Sequence, residues 1–432
     1  MTTIDFDAYL PPRAASRATR DGTAEQALRQ IPDGSRVVVP PMSATPVGLL
    51  SVLDELRDGW TQIELATGNL FQHLPPLDHP HQPFRFATYQ TSGPLRDVEA
   101  AGALEHVPAT YAQVPSLFRQ DGPLPADAIL IQVSEPGPEG MYSLGTSVGG
   151  IVDVVRTAPL VIAQVNPNLP YTFGAAELRR DEFDWLVPLE SDVLELRRAE
   201  PGVTERQIAA AVAELVTDGA TLQFGIGGVP EAIMGLLGDR RDLGVHSGLI
   251  SDGVKDLVEG GALSGARKAT APELIITTEA AGSAAFFHWL DRNPAVCMAP
   301  AGYTHSLEVL AQQTNFVGIN SAVQVALDGA INAESLRGRQ ISGPGGQPDF
   351  AAGAMLNGGV SVVAMPATAA RGRVSRIVRR LDPEAVVTTP RTLADRVITE
   401  YGQAALGGRG LGARAASLRA IAHPDFRDEL AD

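Results

Sequence analysis

Short runs of Val, Ile and Leu recur along the chain, separated by stretches whose apolar residues return every third or fourth position. AILIQV (128–133), PLVIAQV (159–165), LIIT (274–277) and VSVVAM (360–365) are apolar runs of strand length. Unbroken runs of this kind suit strands covered on both faces. GVTERQIAAAV (202–212) has the longer period of a helix. The alternation predicts an α/β chain, with parallel or mixed sheets flanked by helices. Such sheets collect ligands at the carboxyl ends of their strands, so the loops that follow strands are the ones to search.

Two segments follow one plan. Residues 31–50 read IPDGSRVVVPPMSATPVGLL and residues 216–235 read VTDGATLQFGIGGVPEAIMG. Each has Asp-Gly, an apolar run, a loop of small residues and a proline opening a helical pattern. Asp33-Gly34 and Asp218-Gly219 are expected to end preceding helices. Val37–Val39 and Leu222–Phe224 read as buried strands, and Pro46 and Pro230 as first-turn helix residues. Use of one unit twice points to an internal duplication. The pattern breaks in ELRRAEPGVTERQIAAAV (195–212), at Pro201-Gly202, after which Thr204 and Gln207 have capping-box spacing. Two related domains are expected, 1–199 and 200–432, the second carrying the glycine loops and the active site.

Composition narrows the function classes. The 432 residues are 44% hydrophobic and 19% charged, enough apolar content for sizeable cores. Thirty-four basic against fifty acidic residues give −16. This excludes a general binder of nucleic acid or of anionic membranes, although a loop at a helix N-terminus still suits a small anion. The single cysteine, Cys297 in NPAVCMAP, allows no internal disulfide and reads as a buried thiol. The N-terminus lacks the apolar core of a secretory signal, and no window approaches the ~18 apolar residues of a membrane span. A reducing cytoplasm is expected. No His, Asp or Glu cluster has metal-ligand spacing, so no metal is expected.

Two glycine loops carry candidate chemistry. GIGGVPEA follows Phe224 and holds Gly225, Gly227 and Gly228; ISGPGGQPDF (341–350) holds Gly343, Gly345 and Gly346. Missing side chains let a ligand approach the backbone, and several N–H groups then face one oxygen. The first loop lacks the spacing of a dinucleotide fingerprint and the Lys-Ser/Thr of a P-loop. Each loop alone also fits a tight packing turn; the two together favour an anionic or acyl ligand.

Ordered segments along nearly the whole chain resemble the acetyl-CoA hydrolase / 4-hydroxybutyrate CoA-transferase family of class I CoA-transferases. They include DAILIQVSEPGPEGMYSLGTSV (127–148), QVNPNLPYTFG (164–174), LQFGIGGVPEA (222–232), DLGVHSGLISDGVKDLVEGGAL (242–263), INSAVQVALDGAINAES (319–335), GPGGQPDF (343–350) and IAHPDFR (421–427). The resemblance implies two related α/β domains, acyl-CoA bound as substrate without a permanent cofactor, a carboxylate acceptor, and a dimer or larger homo-oligomer. It also implies covalent catalysis by a glutamate, through an acyl-glutamyl anhydride and a glutamyl-CoA thioester. Backbone N–H groups of both glycine loops would stabilise the tetrahedral oxyanions. By position these belong to Ile226 and Gly345, and one such donor is worth ~3 kcal/mol of barrier.

The catalytic position departs from that pattern. In HSGLISDGVKDL (246–257) the residue that aligns with the family's glutamate is Gly248, which cannot form an anhydride. The usual Glu-Val-Asp of the INSA segment is Gln324-Val325-Ala326 here. The emptied position is expected to leave room for a water or a larger acyl group. Glu279, after the predicted strand LIIT, replaces an apolar residue of the family and is a candidate general base. His246, two residues before the empty position, suits acid–base work or bracing of the loop. His305 and His288, both with aromatic neighbours, are weaker candidates. Glu400 and His423 read as structural ties. The basic run RGRVSRIVRR (371–380) fits either ligand phosphates and docking or a solvated surface. Three readings stay open: hydrolysis or transfer without the glutamyl intermediate, proton abstraction from an acyl-CoA, and acyl-CoA binding without catalysis.

Overall fold

The computed structural model describes residues 4–431. The chain forms two compact units, Met1–Arg197 with Ile276–Thr304, and Arg198–Ile275 with His305–Asp432.

The first unit is built on eight parallel strands: β1 (Arg20–Asp21), β2 (Arg36–Val38), β3 (Ile63–Thr67), β4 (Phe84–Thr88), β5 (Leu104–His106), β6 (Ala128–Val133), β7 (Leu160–Val165) and β8 (Trp185–Pro188). Their order is β1-β8-β7-β6-β2-β3-β4-β5, and every neighbouring pair is parallel. All six residues of AILIQV are buried, as a strand covered on both faces requires. Helix α1 (Val47–Glu55) lays Leu49, Leu50 and Leu53 into a core with Val37, Leu65, Phe86 and Leu130. The strand order reverses between β2 and β6, so the loops after these strands part there. The unit also contains the strands Ile275–Ala280 (all but its first residue), Val296–Met298 and Phe173–Gly174, side by side in that order.

The second unit has β9 (Thr221–Phe224), β10 (Gly244–Ile250), β11 (Phe316–Asn320), β12 (Val360–Ala364), β13 (Arg396–Thr399) and β14 (Gly402–Ala405), in the order β14-β13-β12-β11-β9-β10. β13 and β14 are antiparallel; the pairs β9–β10, β9–β11, β11–β12 and β12–β13 are parallel. Helices α2 (Val203–Ala213), α3 (Gly228–Leu236), α4 (Asp252–Glu259) and α5 (Gln347–Leu356) belong to this unit.

The repeated Asp-Gly serves a different purpose from the expected one. The helix Ala24–Leu28 and α2 both end before it, so neither glycine is a helix cap. Asp33 accepts from the Thr61 and Gln62 amides at 2.8 and 3.0 Å, and Gly34 N–H donates to Gln62 O at 2.8 Å. Asp218 accepts from the Arg241 amide at 2.9 Å, and Gly219 N–H donates to Arg241 O at 2.8 Å. Each motif ties the entry of one strand to the entry of the next. Gly34 and Gly219 have φ of 82° and 75°, a region that favours glycine.

Local helix signals were also redirected. The N-cap of α2 is Gly202, with no side-chain cap, so Thr204 lies inside the helix and forms no capping box with Gln207. Pro46 is the N-cap residue of α1, one place before its first turn, whereas Pro230, third residue of α3, lies in the first turn as expected. Gly34→Ala should cost about 1–2 kcal/mol in denaturant unfolding, because open space surrounds the added methyl and only the backbone conformation resists it. Gly59→Ala, also in open space but without a positive φ, should stay within about 0.5 kcal/mol of the parent.

Candidate active site

In the second unit the chain leaves β9 at Phe224, turns through Gly225-Ile226-Gly227 and enters α3 at Gly228. Gly227 has φ +117°, which an L side chain resists. A side-chain carbon at Gly225 or Gly227 would meet nothing within 4 Å, whereas one at Gly228 would touch Glu205 at 3.4 Å. Ile226 is 39% exposed. The turn is therefore open and lies at the N-terminus of a nine-residue helix.

Glu231, in the first turn of α3, accepts from Ser251 Oγ at 2.9 Å and pairs with Arg198 at 2.9 Å. Arg198 also reaches Asp256 at 2.6 Å. Ser251 occupies the N-cap position of α4, but its hydroxyl goes to Glu231 instead of a helix amide. It joins two helices rather than capping one. Burial raises the Glu231 carboxyl, opposed by the Ser251 hydroxyl and the Arg198 charge.

The second turn runs through Gly343 to Gly346, the N-cap of α5. Gly343 is buried. Gly345 has φ +54°, and a carbon built on it meets nothing within 4 Å. Gly346 is different. A carbon there would lie 2.6 Å from His305 Nε2 and 2.8 Å from a ring carbon of Phe350.

Strand β10 bonds to the residue before the first turn and abuts His305, which in turn abuts the second. His246 and Ser247 on it are fully buried. Ser247 Oγ accepts from the Phe224 amide at 3.2 Å and donates to Leu249 O at 2.8 Å, which fixes β10 against the residue preceding the first glycine turn. Gly248 follows without a positive φ, so its backbone would accept a side chain. The obstacle is a neighbour. A carbon at Gly248 would stand 3.0 Å from His305 Nε2, 3.2 Å from its Cε1 and 3.5 Å from Phe350. The space next to Gly248, expected to admit water or a larger acyl group, thus contains an imidazole. His305 is 2% exposed, and its ring lies 4.7 Å from that of Phe350. Burial, with His246 adding to it, pushes its pKa down to about 3, so the imidazole is neutral at neutral pH.

Gln223 and Asn320, on β9 and β11, exchange amide hydrogen bonds of 3.1 and 3.4 Å. Gln324, where the family pattern has an acid, donates to Asp382 at 3.4 Å, and Ala326 is buried.

Glu279 belongs to the first unit, whereas both glycine turns belong to the second. It lies within the strand Ile275–Ala280 rather than after it, and is 3% exposed. Tyr111, 168 positions away, donates its hydroxyl to Glu279 Oε1. The backbone around Glu279 is bridged to Ser147, and Ala280 N–H donates to Thr146 O at 2.8 Å. A carbon at Gly149 would lie 2.5 Å from the Tyr111 hydroxyl and 3.0 Å from Glu279 Oε1, so glycine lets the pair close. Burial pushes the Glu279 carboxyl up to about 8, with the Tyr111 and Ser147 hydroxyls pulling the other way. Burial and the Glu279 charge raise Tyr111 and Tyr89 as well. Tyr111 carried no motif, and no local signal paired it with Glu279.

The remaining candidates are dispersed. His288 is exposed and lines a 720 Å³ cavity beyond the carboxyl ends of β6 and β7, with Ser134, Asn168, Tyr171 and Arg292. Neither Glu279 nor either glycine turn lines it. In the basic run, Arg376 donates to Ala322 O at 3.3 Å and Arg379 to Ala431 O, while Arg371, Arg373 and Arg380 are exposed. Glu400 accepts from the Ala367 amide at 2.8 Å, a long-range tie, whereas His423 accepts from the Asp425 amide at 3.3 Å and caps its own turn. Cys297 is buried. Among the described residues no His, Cys, Asp or Glu group could hold a metal, and no helix is long and apolar enough to cross a membrane.

Comparison with known proteins defines the class. Residues 69–182 match the acetyl-CoA hydrolase/transferase N-terminal domain, and residues 282–432 match its C-terminal domain. The chain belongs to this family and is an enzyme of the CoA-transferase and acyl-CoA hydrolase type. It is 38% identical to the 4-hydroxybutyrate coenzyme A transferase of Clostridium kluyveri over 416 residues, 94% of this chain and 95% of that protein. It is 32% identical to the butyryl-CoA:acetate CoA-transferase of Anaerostipes caccae, over 94% of each. Among solved structures, RipA from Yersinia pestis superposes with a TM-score of 0.90 at 30% identity, over 99% of this chain and 98% of that one.

The Glu279 carboxyl gives a pH signature. Between the ordinary carboxyl value of 4.5 and about 8 the native state holds a proton that the unfolded chain has released. Stability therefore falls as pH rises through this window and levels off above it. The loss should be on the order of 5 kcal/mol by denaturant unfolding. Glu279→Gln should remove that slope; an unchanged slope would show that the carboxyl does not titrate there.

Proposed function

We propose that the enzyme cleaves acyl-CoA thioesters by direct attack of a bound acceptor, without a glutamyl intermediate at position 248. Water is the simplest acceptor, and a carboxylate acid is the alternative one. The reading rests on one observation. Both glycine turns are open at Gly225, Gly227 and Gly345, while position 248 has no side chain and a neighbouring imidazole occupies its space. In this scheme the Ile226 and Gly345 N–H groups hold the thioester oxygen. Water attacks the carbonyl carbon as its proton passes to solvent, negative charge collects on the thioester oxygen, and the C–S bond breaks to release the acid and CoA thiolate. A carboxylate acceptor gives a mixed anhydride by the same attack. The thiolate then attacks the acceptor's carbonyl, forming the new CoA ester and releasing the donor acid. Preorganised amides aimed at the developing charge are the main source of rate in such reactions.

Turnover of an acyl-CoA panel in ¹⁸O-water, with and without acetate or succinate, tests this. One ¹⁸O should enter each acid released by hydrolysis, and added carboxylates should yield new CoA esters if transfer operates. A chain carrying CoA covalently during turnover would contradict the scheme. Gly225→Ala should lower kcat/KM at least about tenfold, with little change in melting temperature, because no protein atom lies within 4 Å of the added carbon.

A second reading is favoured by the buried pair of Glu279 and Tyr111, a carboxyl that holds its proton near neutral pH. Such a group suits proton exchange at an acyl-CoA carbon. Solvent deuterium entering the acyl chain, lost in Glu279→Gln, would favour it.

A further inference from the structure

His305 lies between two glycines. Its Nε2 is 3.0 Å from where a side-chain carbon of Gly248 would stand and 2.6 Å from that of Gly346. Phe350, in the first turn of α5, closes the same space, at 3.5 Å from the Gly248 position and 2.8 Å from the Gly346 position. His305 is almost fully buried, and its ring packs on that of Phe350. A side-chain carbon at Gly346, 2.6 Å from the imidazole, is not tolerated. One at Gly248, at 3.0 Å, is crowded enough that the buried ring would have to shift by a few tenths of an ångström. The seat of the imidazole thus depends on both bare positions. Gly248 is therefore more than the loss of a reactive group. It is one wall of the seat for a residue further along the chain.

We propose that His305 determines which reaction this site can run, by occupying the volume that any side chain at position 248 would need. It acts as a positioning residue. It fixes the spacing between β10 and the Gly345-Gly346 turn, and it keeps a carboxylate nucleophile out of the site. The reactive consequence rests on the thioester chemistry proposed above; the packing claim does not. Introducing glutamate at position 248 is then insufficient to restore covalent catalysis while His305 stays. With His305 reduced to alanine, an introduced carboxylate gains room to attack the thioester carbonyl. Its oxygen forms the C–O bond of an anhydride as the C–S bond breaks and CoA thiolate leaves. The thiolate then attacks the glutamyl carbonyl, the acyl group departs as its carboxylate, and CoA remains on the chain as a thioester.

Two measurements test this. The first is a melting-temperature cycle over Gly248→Ala and His305→Ala in the full chain. Gly248→Ala should lower Tm by about 3–6 °C in the parent and by little or nothing beside His305→Ala. If Gly248→Ala fails to fold, recovery of folding in the double variant is the expected result. Equal effects of Gly248→Ala in both backgrounds would overturn the proposal. The second is intact-protein mass after incubation with acetyl-CoA or succinyl-CoA. Gly248→Glu with His305→Ala should accumulate at least tenfold more chain carrying CoA, less one water, than Gly248→Glu alone. Equal labelling, or none in either variant while the parent turns over acyl-CoA, would overturn the reactive claim. If the parent shows no turnover, the function reading fails on its own, and the melting cycle still decides the place of His305.

Discussion

The seating of one buried imidazole between two glycines is the constraint on which the second unit's site depends. His305 touches the positions where Gly248 and Gly346 would carry side chains, and Phe350 backs it from α5. Ser247, next to Gly248, holds the Phe224 amide that precedes the other glycine turn. Ser247 thus holds the residue that opens the first turn, and His305 lies between Gly248 and the end of the second at Gly346. Desolvation keeps the imidazole uncharged, so it fills this place without an unpaired buried charge.

The turns themselves divide into two kinds of glycine. Gly227 and Gly345 have positive φ and open space around them, so backbone geometry and access both favour glycine. Gly248 and Gly346 owe their bareness to a neighbour. The first kind leaves amides approachable by a ligand, and the second kind shapes the wall behind them. In the first unit, Glu279 and Tyr111 make a separate buried proton-holding pair, which closes because Gly149 has no side chain.

The sequence made the regular framework readable and left its long-range contacts hidden. AILIQV and VSVVAM are strands because continuous burial selects such runs, and the two Asp-Gly motifs do mark equivalent places. Their work was misread, since a side chain that bonds to the next strand looks, in sequence, like the end of a helix. Thr204 and Gln207 have capping-box spacing, but Gly202 is the N-cap of that helix; at the N-cap of α4, Ser251 gives its hydroxyl to Glu231. The glycine loops were legible because their chemistry is backbone chemistry. Two features lay outside local pattern: the donation from Tyr111 to Glu279, and the imidazole beside Gly248. Each joins residues that only the tertiary fold brings together, and a histidine among aromatics gives no sign of which glycine it abuts.

In the proposed scheme the amides of both turns hold the thioester oxygen while no side chain at position 248 takes part. A crystal structure with a non-hydrolysable acyl-CoA analogue tests this most directly. The carbonyl oxygen should lie about 2.7–3.1 Å from the Ile226 and Gly345 nitrogens, with His305 still seated against Gly248. A carbonyl bound elsewhere, with both turns empty, would contradict it.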